Sequence, residues 1–314
     1  MIITPIKLDF WKEGVTIKIS TRAGVRETVE RYNLQTKKKL GQHFLVDERV
    51  LEKILAAANV GKDDIVLEVG PGIGGLTQGL AERAKHVIAV ELDKQLIPVL
   101  EDVFSDAPVT VVQGDILRIN LAEILAPFMQ GSSSGVKVVA NLPYYITTPV
   151  ILYMLESGLN FDSITVMVQK EVAQRMAAKP STKEYGSLSL AVQFYADVEI
   201  VAYVPVNCFM PRPGVDSAVA HLKLHGRNIS TDNGTDSSSI LSGTTVDKEW
   251  VFKIIHASFN QRRKTLVNAL DSAGIGEGKA ALAEILQSIG MNPQVRGETL
   301  NLQQFVTLAE ALKT

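Results

Sequence analysis

The feature that most constrains the fold is a regular alternation of apolar and helix-like segments between residues 64 and 169. Short segments rich in Val and Ile are separated by stretches whose apolar residues recur at helical spacing. Because almost every position in the short segments is apolar, they predict strands of a parallel sheet covered by helices on both faces. These predicted strands span residues 64–70, 86–92, 109–115, 136–143 and 164–169.

Two later segments, 193–204 and 217–225, also have strand-like patterns, but no helix of about 10 residues separates them. They therefore predict an antiparallel pair. A helix is predicted to follow Asp47, whose side chain can cap its first turn. Its apolar face would comprise Val50, Leu51, Ile54, Leu55 and Ala58.

The chain divides by composition into an α/β domain and a smaller helical domain. Residues 1–20 show no period and predict a flexible extension, and residues 21–225 form the α/β domain. The tract 226–246, rich in Ser, Thr, Gly and Asp, predicts a linker or mobile loop. Residues 247–314 are predicted to form a helical domain. In its first helix Arg263 would fall on the apolar stripe, so either its side chain snorkels or pairs there, or the helix bends near Asn260.

The composition is that of a soluble globular protein. Of the 314 residues, 46% are hydrophobic and 21% charged. No apolar run approaches the roughly 18 residues of a membrane span, and the first residues do not resemble a secretory signal. A single cysteine, Cys208, rules out an internal disulfide, makes a cysteine-based zinc site improbable and favours the cytoplasm.

Positive charge is concentrated in two segments, although the net charge is only −2. Residues 18–39 carry seven basic residues against two acidic ones, and the sequence QRRK occupies 261–264. Two basic segments on an acidic body are consistent with contacts to phosphates. A solvated surface is the alternative for either segment alone.

A glycine-rich loop follows the first predicted strand and precedes a helix. Gly70, Gly72 and Gly75 fit GxGxxG, and Glu91 ends the second strand, where a carboxylate can accept from ribose hydroxyls. The pattern predicts a nucleotide-like cofactor, either a nicotinamide dinucleotide or S-adenosylmethionine. Asp115, which ends the third strand, favours the latter because it can accept from an adenine amine, with a helix cap as the alternative.

The fourth predicted strand ends in Asn141, Leu142, Pro143, Tyr144 and Tyr145. An ordinary strand end is one interpretation, since Asn and Pro are common in turns. The other is that an amide, a backbone carbonyl and an aromatic face meet at the sheet edge where α/β proteins bind ligands.

Taken together, these motifs closely resemble the ribosomal RNA adenine dimethyltransferases from about residue 20 to the end of the chain. The matching segments are KKKLGQHFL (37–45), LEVGPGIGGLT (67–77), VELD (90–93), ANLPYYITTPVI (140–151), MVQKEVAQRM (167–176), YGSLSL (185–190), CFMPRPGVDSAV (208–219) and FNQRRKTLVNAL (259–270). The resemblance implies a Rossmann-like methyltransferase fold, with a seven-stranded sheet containing one antiparallel strand, followed by a small helical domain.

The resemblance also implies S-adenosylmethionine as cofactor and no metal. Its contacts would be made by His43, Leu45, Gly70, Gly72, Glu91, Asp115 and Asn141. Position 43 is often Asn in this family, so His43 has either a contact through its side chain or a packing role.

For catalysis, the side-chain oxygen of Asn141 and the carbonyl of Leu142 would accept from the target amine, with Pro143 keeping Leu142 extended. Tyr144 would stack on the flipped base. The resemblance implies that Phe209 closes its other face, a core position being the alternative, and Tyr145 is expected to be structural.

The substrate implied by the resemblance is a pair of adjacent adenosines in the 3′-terminal hairpin loop of small-subunit ribosomal RNA, within an assembling 30S particle and bound by a monomer. Large-subunit methyltransferases of the macrolide-resistance type, a nicotinamide dehydrogenase and a non-catalytic assembly factor are the alternatives. The expected RNA contacts are Arg22, Arg26, Lys37, Lys38, Lys39, Arg262, Arg263 and Lys264.

Overall fold

The computed structural model describes residues 18–34, 41–129, 135–225 and 246–313. Its helices are α1 (Arg22–Arg31), α2 (Glu48–Ala58), α3 (Gly75–Ala81), α4 (Ile97–Val103), α5 (Leu121–Met129), α6 (Thr147–Glu156), α7 (Lys170–Met176), α8 (Ser187–Gln193), α9 (Lys248–Asn260), α10 (Leu266–Ser272), α11 (Lys279–Ser288) and α12 (Leu302–Ala311). Its strands are β1 (Phe44–Leu45), β2 (Ile65–Val69), β3 (His86–Glu91), β4 (Val109–Gln113), β5 (Val136–Asn141), β6 (Phe161–Gln169), β7 (Ala196–Val204), β8 (Phe209–Met210) and β9 (Ser217–Leu224).

Seven of these strands form one sheet in the order β4-β3-β2-β5-β6-β9-β7. The five strands predicted from their apolar patterns, β2 to β6, pair in parallel, with Leu67 opposite both Ile88 and Val138. β9 runs antiparallel to β6 and neighbours β7. The mostly parallel seven-stranded sheet confirms the predicted fold class, and its central strands are apolar because helices cover both faces.

Helix α2 has the predicted cap and the predicted buried face. Asp47 Oδ1 accepts from the backbone N–H groups of Arg49 and Val50, at 3.0 and 3.3 Å. The buried residues of α2 are Val50, Leu51, Ile54, Leu55 and Ala58. They pack in a core with Leu80 and Val139.

The contacts divide the chain into two compact units, one comprising residues up to Ala173 together with Glu199–Lys223, the other Gln174–Val198 together with Leu224 onward. The second unit therefore includes a segment that the sequence placed in the α/β domain. Tyr185 and Leu190 of this segment are buried among the C-terminal helices, in a core with Phe305. Long-range packing of this kind leaves no signal in local sequence patterns.

The long helix expected after residue 247 is interrupted. Helix α9 ends at Asn260, and α10 begins after Thr265, whose hydroxyl accepts from Asn268 N at 3.4 Å. Arg263 therefore lies in the connection and not on a helical apolar stripe.

Some predictions concern residues outside the described ranges: the extension up to residue 17, the cations Lys37, Lys38 and Lys39, and the tract up to residue 245. Within the described ranges, none of the helices combines the length and apolar character that crossing a membrane requires.

Candidate active site

A cleft of about 1090 Å³, its open mouth included, lies in the first unit at the carboxyl ends of β2, β3, β4 and β5. This is the edge at which open α/β sheets bind ligands. The predicted site residues that line it are His43, Leu45, Gly70, Gly72, Glu91, Asp115, Asn141, Leu142, Pro143 and Tyr144.

The loop between β2 and α3 uses glycine for its backbone shape. Gly70, Gly72 and Gly74 have φ angles of +68°, +61° and +94°, in the left-handed region that favours glycine. A Cβ built on Gly72 would lie 3.1 Å from the ring of Phe44. A side chain at this position would therefore press against Phe44, and glycine lets the loop pack closely at the wall of the cleft.

Glu91 ties the end of β3 to this loop. Its Oε2 accepts from Gly72 N at 3.1 Å, and its Oε1 accepts from Asp93 N at 2.7 Å. Burial raises the pKa of Glu91, and these two backbone hydrogen bonds oppose the rise. Each carboxylate oxygen keeps further acceptor capacity for a ligand hydroxyl.

Glu68 is a second acid of the cleft, and the sequence analysis did not single it out. It lies within β2, is 1% exposed and lines the cleft. Its Oε2 has no hydrogen-bond partner among the described residues. Burial raises the pKa of Glu68 to about 8, the Glu91 charge adds to the rise, and the nearby Thr77 hydroxyl opposes it. An acid in an otherwise apolar strand was the available signal.

Asp115 follows β4 and lines the cleft, and its side chain closes a turn over residues 116–118 and does not cap a helix, since α5 begins only at Leu121. Its Oδ1 accepts from Leu117 N at 3.0 Å, and its Oδ2 lies 3.5 Å from Arg118 Nε. Two apolar residues next to the strand-end acids also line the cleft: Leu92, which is 42% exposed, and Ile116, which is buried. No pattern in the sequence distinguishes these two from core residues.

Asn141 is held by the main chain of residue 43. Its Nδ2 donates to the His43 carbonyl at 3.1 Å. Because a carbonyl oxygen can only accept, this contact fixes which end of the Asn141 amide is nitrogen. The side-chain oxygen of Asn141 is left as an acceptor in the cleft.

The ring of His43 serves a separate contact. Its Nδ1 lies 2.8 Å from the Pro211 carbonyl, and since that oxygen can only accept, Nδ1 carries a proton. The ring therefore links the start of β1 to the residue that follows β8, which pairs antiparallel with β1.

The backbone after Asn141 offers a second acceptor. Leu142 N donates to Met167 O at 3.1 Å, and Leu142 lines the cleft. Among the described residues no donor contacts the Leu142 carbonyl, whereas the Pro143 carbonyl accepts from Ile146 N and Thr147 Oγ1. Two acceptors from adjacent residues thus meet at the end of β5.

The ring of Tyr144 is fixed at both ends. Its hydroxyl lies 2.6 Å from Ser217 Oγ, and its ring centroid lies 5.6 Å from that of His43 at an interplanar angle of 30°. Burial raises the pKa of the Tyr144 phenol, and the hydrogen bond with Ser217 opposes the rise.

The structure does not bring Phe209 to the cleft. The residue is 1% exposed and pairs with Leu45 between β1 and β8, inside the core that includes Val204 and Val219. This is the core position given above as the alternative, and in this conformation the ring has no surface on which a base could stack.

The predicted basic residues have different surroundings. In the first unit Arg22 and Arg26 are exposed, and the guanidinium of Arg22 donates to the Asn207 carbonyl. In the second unit Arg263 and Lys264 are exposed. Arg262 instead is bonded within the protein through each of its three guanidinium nitrogens: Nε donates to Glu298 at 2.5 Å, and Nη1 and Nη2 donate to the carbonyls of Lys183 and Thr182, at 2.7 and 2.9 Å.

Arg262 thereby connects three segments of the second unit, and these segments display a cluster of cations. We call Lys179, Lys183, Arg263, Lys264 and Arg296 the basic cluster. These five residues are exposed, and none of them forms a salt bridge with another described residue. Lys179, Lys183 and Arg296 were not predicted, because they come from segments that are distant in sequence.

A comparison with protein families identifies the family to which the chain belongs. The family described as "Ribosomal RNA adenine dimethylase" matches residues 33–313. The chain belongs to this family. It is therefore an enzyme of the rRNA adenine methyltransferase class, as the motifs predicted.

Curated relatives agree with this assignment. The "Ribosomal RNA small subunit methyltransferase A" of Lachnoclostridium phytofermentans is 49% identical over 289 residues, which cover 91% of this chain and 94% of the relative. The protein of the same name from Shouchella clausii is 43% identical over 297 residues, covering 94% and 95%.

Two solved structures share the fold. A dimethyladenosine transferase from Plasmodium falciparum superposes with a TM-score of 0.67 at 24% identity, covering 84% of this chain and 95% of that one. The 23S rRNA methyltransferase ErmE gives 0.61 at 24% identity, covering 86% and 99%. At this level of identity the likeness concerns architecture alone.

Proposed function

We propose that this enzyme uses S-adenosylmethionine to dimethylate the 6-amino groups of two adjacent adenosines in the 3′-terminal hairpin loop of small-subunit (16S) ribosomal RNA. The reaction would take place in the cytoplasm on an assembling 30S particle, with the enzyme acting as a monomer. The observation that carries the proposal is the pair of acceptors at the end of β5, with the Asn141 amide fixed by the His43 carbonyl.

The cleft residues fit the cofactor. The glycine loop leaves room for a ligand against the backbone, and Glu91 has acceptor capacity for ribose hydroxyls. Asp115 can accept from the adenine amine through acceptor capacity that its hydrogen bond with Leu117 N leaves unused. The unpartnered Oε2 of Glu68 offers an acceptor for the ammonium of the amino-acid portion, whose positive charge would favour the ionised form of this carboxyl. When bound, the cofactor supplies an electrophilic methyl group on a sulfonium.

The chain would activate the amine by accepting hydrogen bonds from its N–H groups. The lone pair of an adenine amine is delocalised into the ring, which makes the nitrogen a poor nucleophile. Hydrogen bonds from the amine to Asn141 Oδ1 and to the Leu142 carbonyl favour a pyramidal nitrogen with a directed lone pair. As the nitrogen–carbon bond forms, the electron pair of the broken carbon–sulfur bond would stay on sulfur, and the proton that the nitrogen loses would pass to solvent. Positioning and electrostatics then lower most of the barrier.

Tyr144 would support the extruded base. Its ring is already oriented by Ser217 and His43, so stacking costs little further ordering. Stacking on an aromatic side chain compensates part of the free energy lost when a base leaves its helix. We assign no stacking role to Phe209 in this conformation.

RNA contact would come from Arg22 and Arg26 in the first unit and from the basic cluster in the second, each lying on the surface of its own unit. Exposed cations without acidic partners can neutralise phosphates and release their counterions. Lys37, Lys38 and Lys39 are proposed as additional contacts on sequence grounds. Arg262 is better explained as a structural residue, because its donors are bonded within the protein.

The relatives' names favour the small subunit over the large subunit. The test is methyl transfer from labelled cofactor to purified 30S and 50S particles lacking the modification. Label in two adjacent adenosines of 30S RNA is expected. Label confined to 50S RNA would favour the macrolide-resistance type, and absence of transfer to either particle would favour a non-catalytic assembly factor.

A further inference from the structure

Tyr145 is an exposed aromatic residue within the cleft, although the sequence suggested a structural role for it. Its side chain lines the cleft and the residue is 51% exposed. Large aromatic side chains are usually much more buried than this in a soluble protein. A ring left open inside a binding cleft indicates a surface that a ligand covers.

The two adjacent tyrosines line the same cleft but have different surroundings. Tyr144 reaches toward β9, where its hydroxyl meets Ser217. Tyr145 lines the cleft together with Glu91 and Asp115, the acids at the ends of β3 and β4. There the carboxylates of Glu91 and Asp115 act on its phenol: burial raises the pKa of Tyr145, and these two charges add to the rise, that of Asp115 more than that of Glu91.

The phenol of Tyr145 is available to a ligand. Its hydroxyl has no hydrogen-bond partner in the part of the chain that the structure describes, in contrast to that of Tyr144. One edge of the ring is bounded by Gly41, where an added Cβ would lie 3.6 Å from Tyr145 Cδ1. The ring of Tyr145 thus packs beside Gly41 in the same cleft as Glu91 and Asp115, the two acids that would bind ribose and adenine.

We propose that Tyr145 is a positioning residue for the cofactor, whose ring covers the adenosine portion once Glu91 and Asp115 engage it. The inference rests on the proposed function, because it requires S-adenosylmethionine in this cleft. An aromatic ring suits the flat apolar face of adenine, and the hydroxyl can donate to a ribose oxygen. Tyr144 would then stack on the RNA base, and Tyr145 would contact the cofactor.

The test is calorimetric titration of the full chain with S-adenosylmethionine and with S-adenosylhomocysteine. Tyr145→Ala should raise both dissociation constants about tenfold, the change expected from losing an aromatic contact. Tyr145→Phe should keep affinity within about threefold, since it retains the ring. Tyr203→Ala is the matched control, because Tyr203 is 55% exposed and does not line the cleft, and it should leave both constants within about twofold of the native value.

Thermal unfolding in saturating S-adenosylhomocysteine provides a second readout, because a ligand raises the unfolding temperature according to its affinity. Tyr145→Leu, which keeps apolar bulk without a ring, should show the same weakening and guards against a folding defect in the Ala variant. Native affinity in both variants would overturn the inference, as would a loss of RNA affinity alone, which would place the ring against RNA. A native protein that binds neither compound would instead contradict the proposed function.

Discussion

Glu68 should make the stability of the unliganded protein depend on pH in an unusual direction. Burial raises its pKa from the ordinary 4.5 to about 8, so the folded chain binds the proton more tightly than the unfolded chain does. Between these two values the folded state holds more protons, and its stability falls as pH rises. The contribution is fully present below pH 4.5 and lost above about pH 8.

The magnitude follows from the shift. One pH unit corresponds to about 1.4 kcal/mol, so the cost of Glu68 at pH 7 is roughly 3 kcal/mol. Glu68→Gln removes the titrating group while keeping the shape of the side chain. Relative to the native chain, the free energy of unfolding of the variant should therefore rise by about 2.5 kcal/mol between pH 5 and pH 7, which corresponds to about 5 to 10 °C in the unfolding temperature of a unit of this size.

The assay is thermal unfolding of the two proteins without ligand, across pH 5 to 8. Glu101→Gln is the matched control, since Glu101 is exposed on α4, and its difference from the native chain should stay constant with pH. The quantity of interest is the change in the Glu68→Gln difference with pH, which cancels any fixed cost of the buried amide. A difference that does not vary across this range would refute the reasoning.

The remaining predictions concern the reaction and the RNA. Asn141→Ala should lower turnover on the order of a hundredfold, as for loss of a transition-state partner, with much less change in cofactor affinity by calorimetry; unchanged turnover would contradict its role. Tyr144→Ala should lower the rate by the equivalent of roughly 1 to 3 kcal/mol in single-turnover assays, and Tyr144→Phe much less; equal losses would implicate the hydroxyl. Replacing Arg263 and Lys264 by Gln should flatten the salt dependence of RNA affinity by about 0.7 in slope per lost contact to single-stranded RNA. Arg262→Gln should instead lower the unfolding temperature; a change in the salt slope at native stability would identify it as an RNA contact.

Patterns along the chain predicted the sheet because its determinants are local. Each strand from β2 to β6 is a continuous apolar segment, and the order of the acids at their ends follows from parallel topology. The buried face of α2 likewise repeats at helical spacing after a capping Asp47. Such features need no knowledge of distant residues.

The features that were missed depend on partners far along the chain. Helix α9 ends at Asn260, and Arg262, just beyond that end, donates to carbonyls about 80 residues earlier, an arrangement that no local period indicates. The placement of Gln174–Val198 in the second unit depends on packing against the C-terminal helices.

Side-chain direction was a further limit. The sequence could not distinguish the surroundings of Tyr144 from those of Tyr145, because adjacent residues in a turn can contact different parts of the protein. The structure places Phe209 in the core, where it pairs with Leu45 between β1 and β8, a partner far along the chain that no local pattern indicates.

The hydrogen bond that holds Asn141 has a consequence for which replacements the protein tolerates. Its acceptor is the peptide oxygen of residue 43, a group that every amino acid possesses. The hydrogen bond to Asn141 therefore does not depend on which side chain occupies position 43, whereas exchange of His for Asn there would alter the contacts of that side chain with Pro211 and with the ring of Tyr144. Substitutions at position 43, including one that carries a spectroscopic reporter, are therefore expected to change the rim of the cleft while Asn141 and the Leu142 carbonyl keep their geometry.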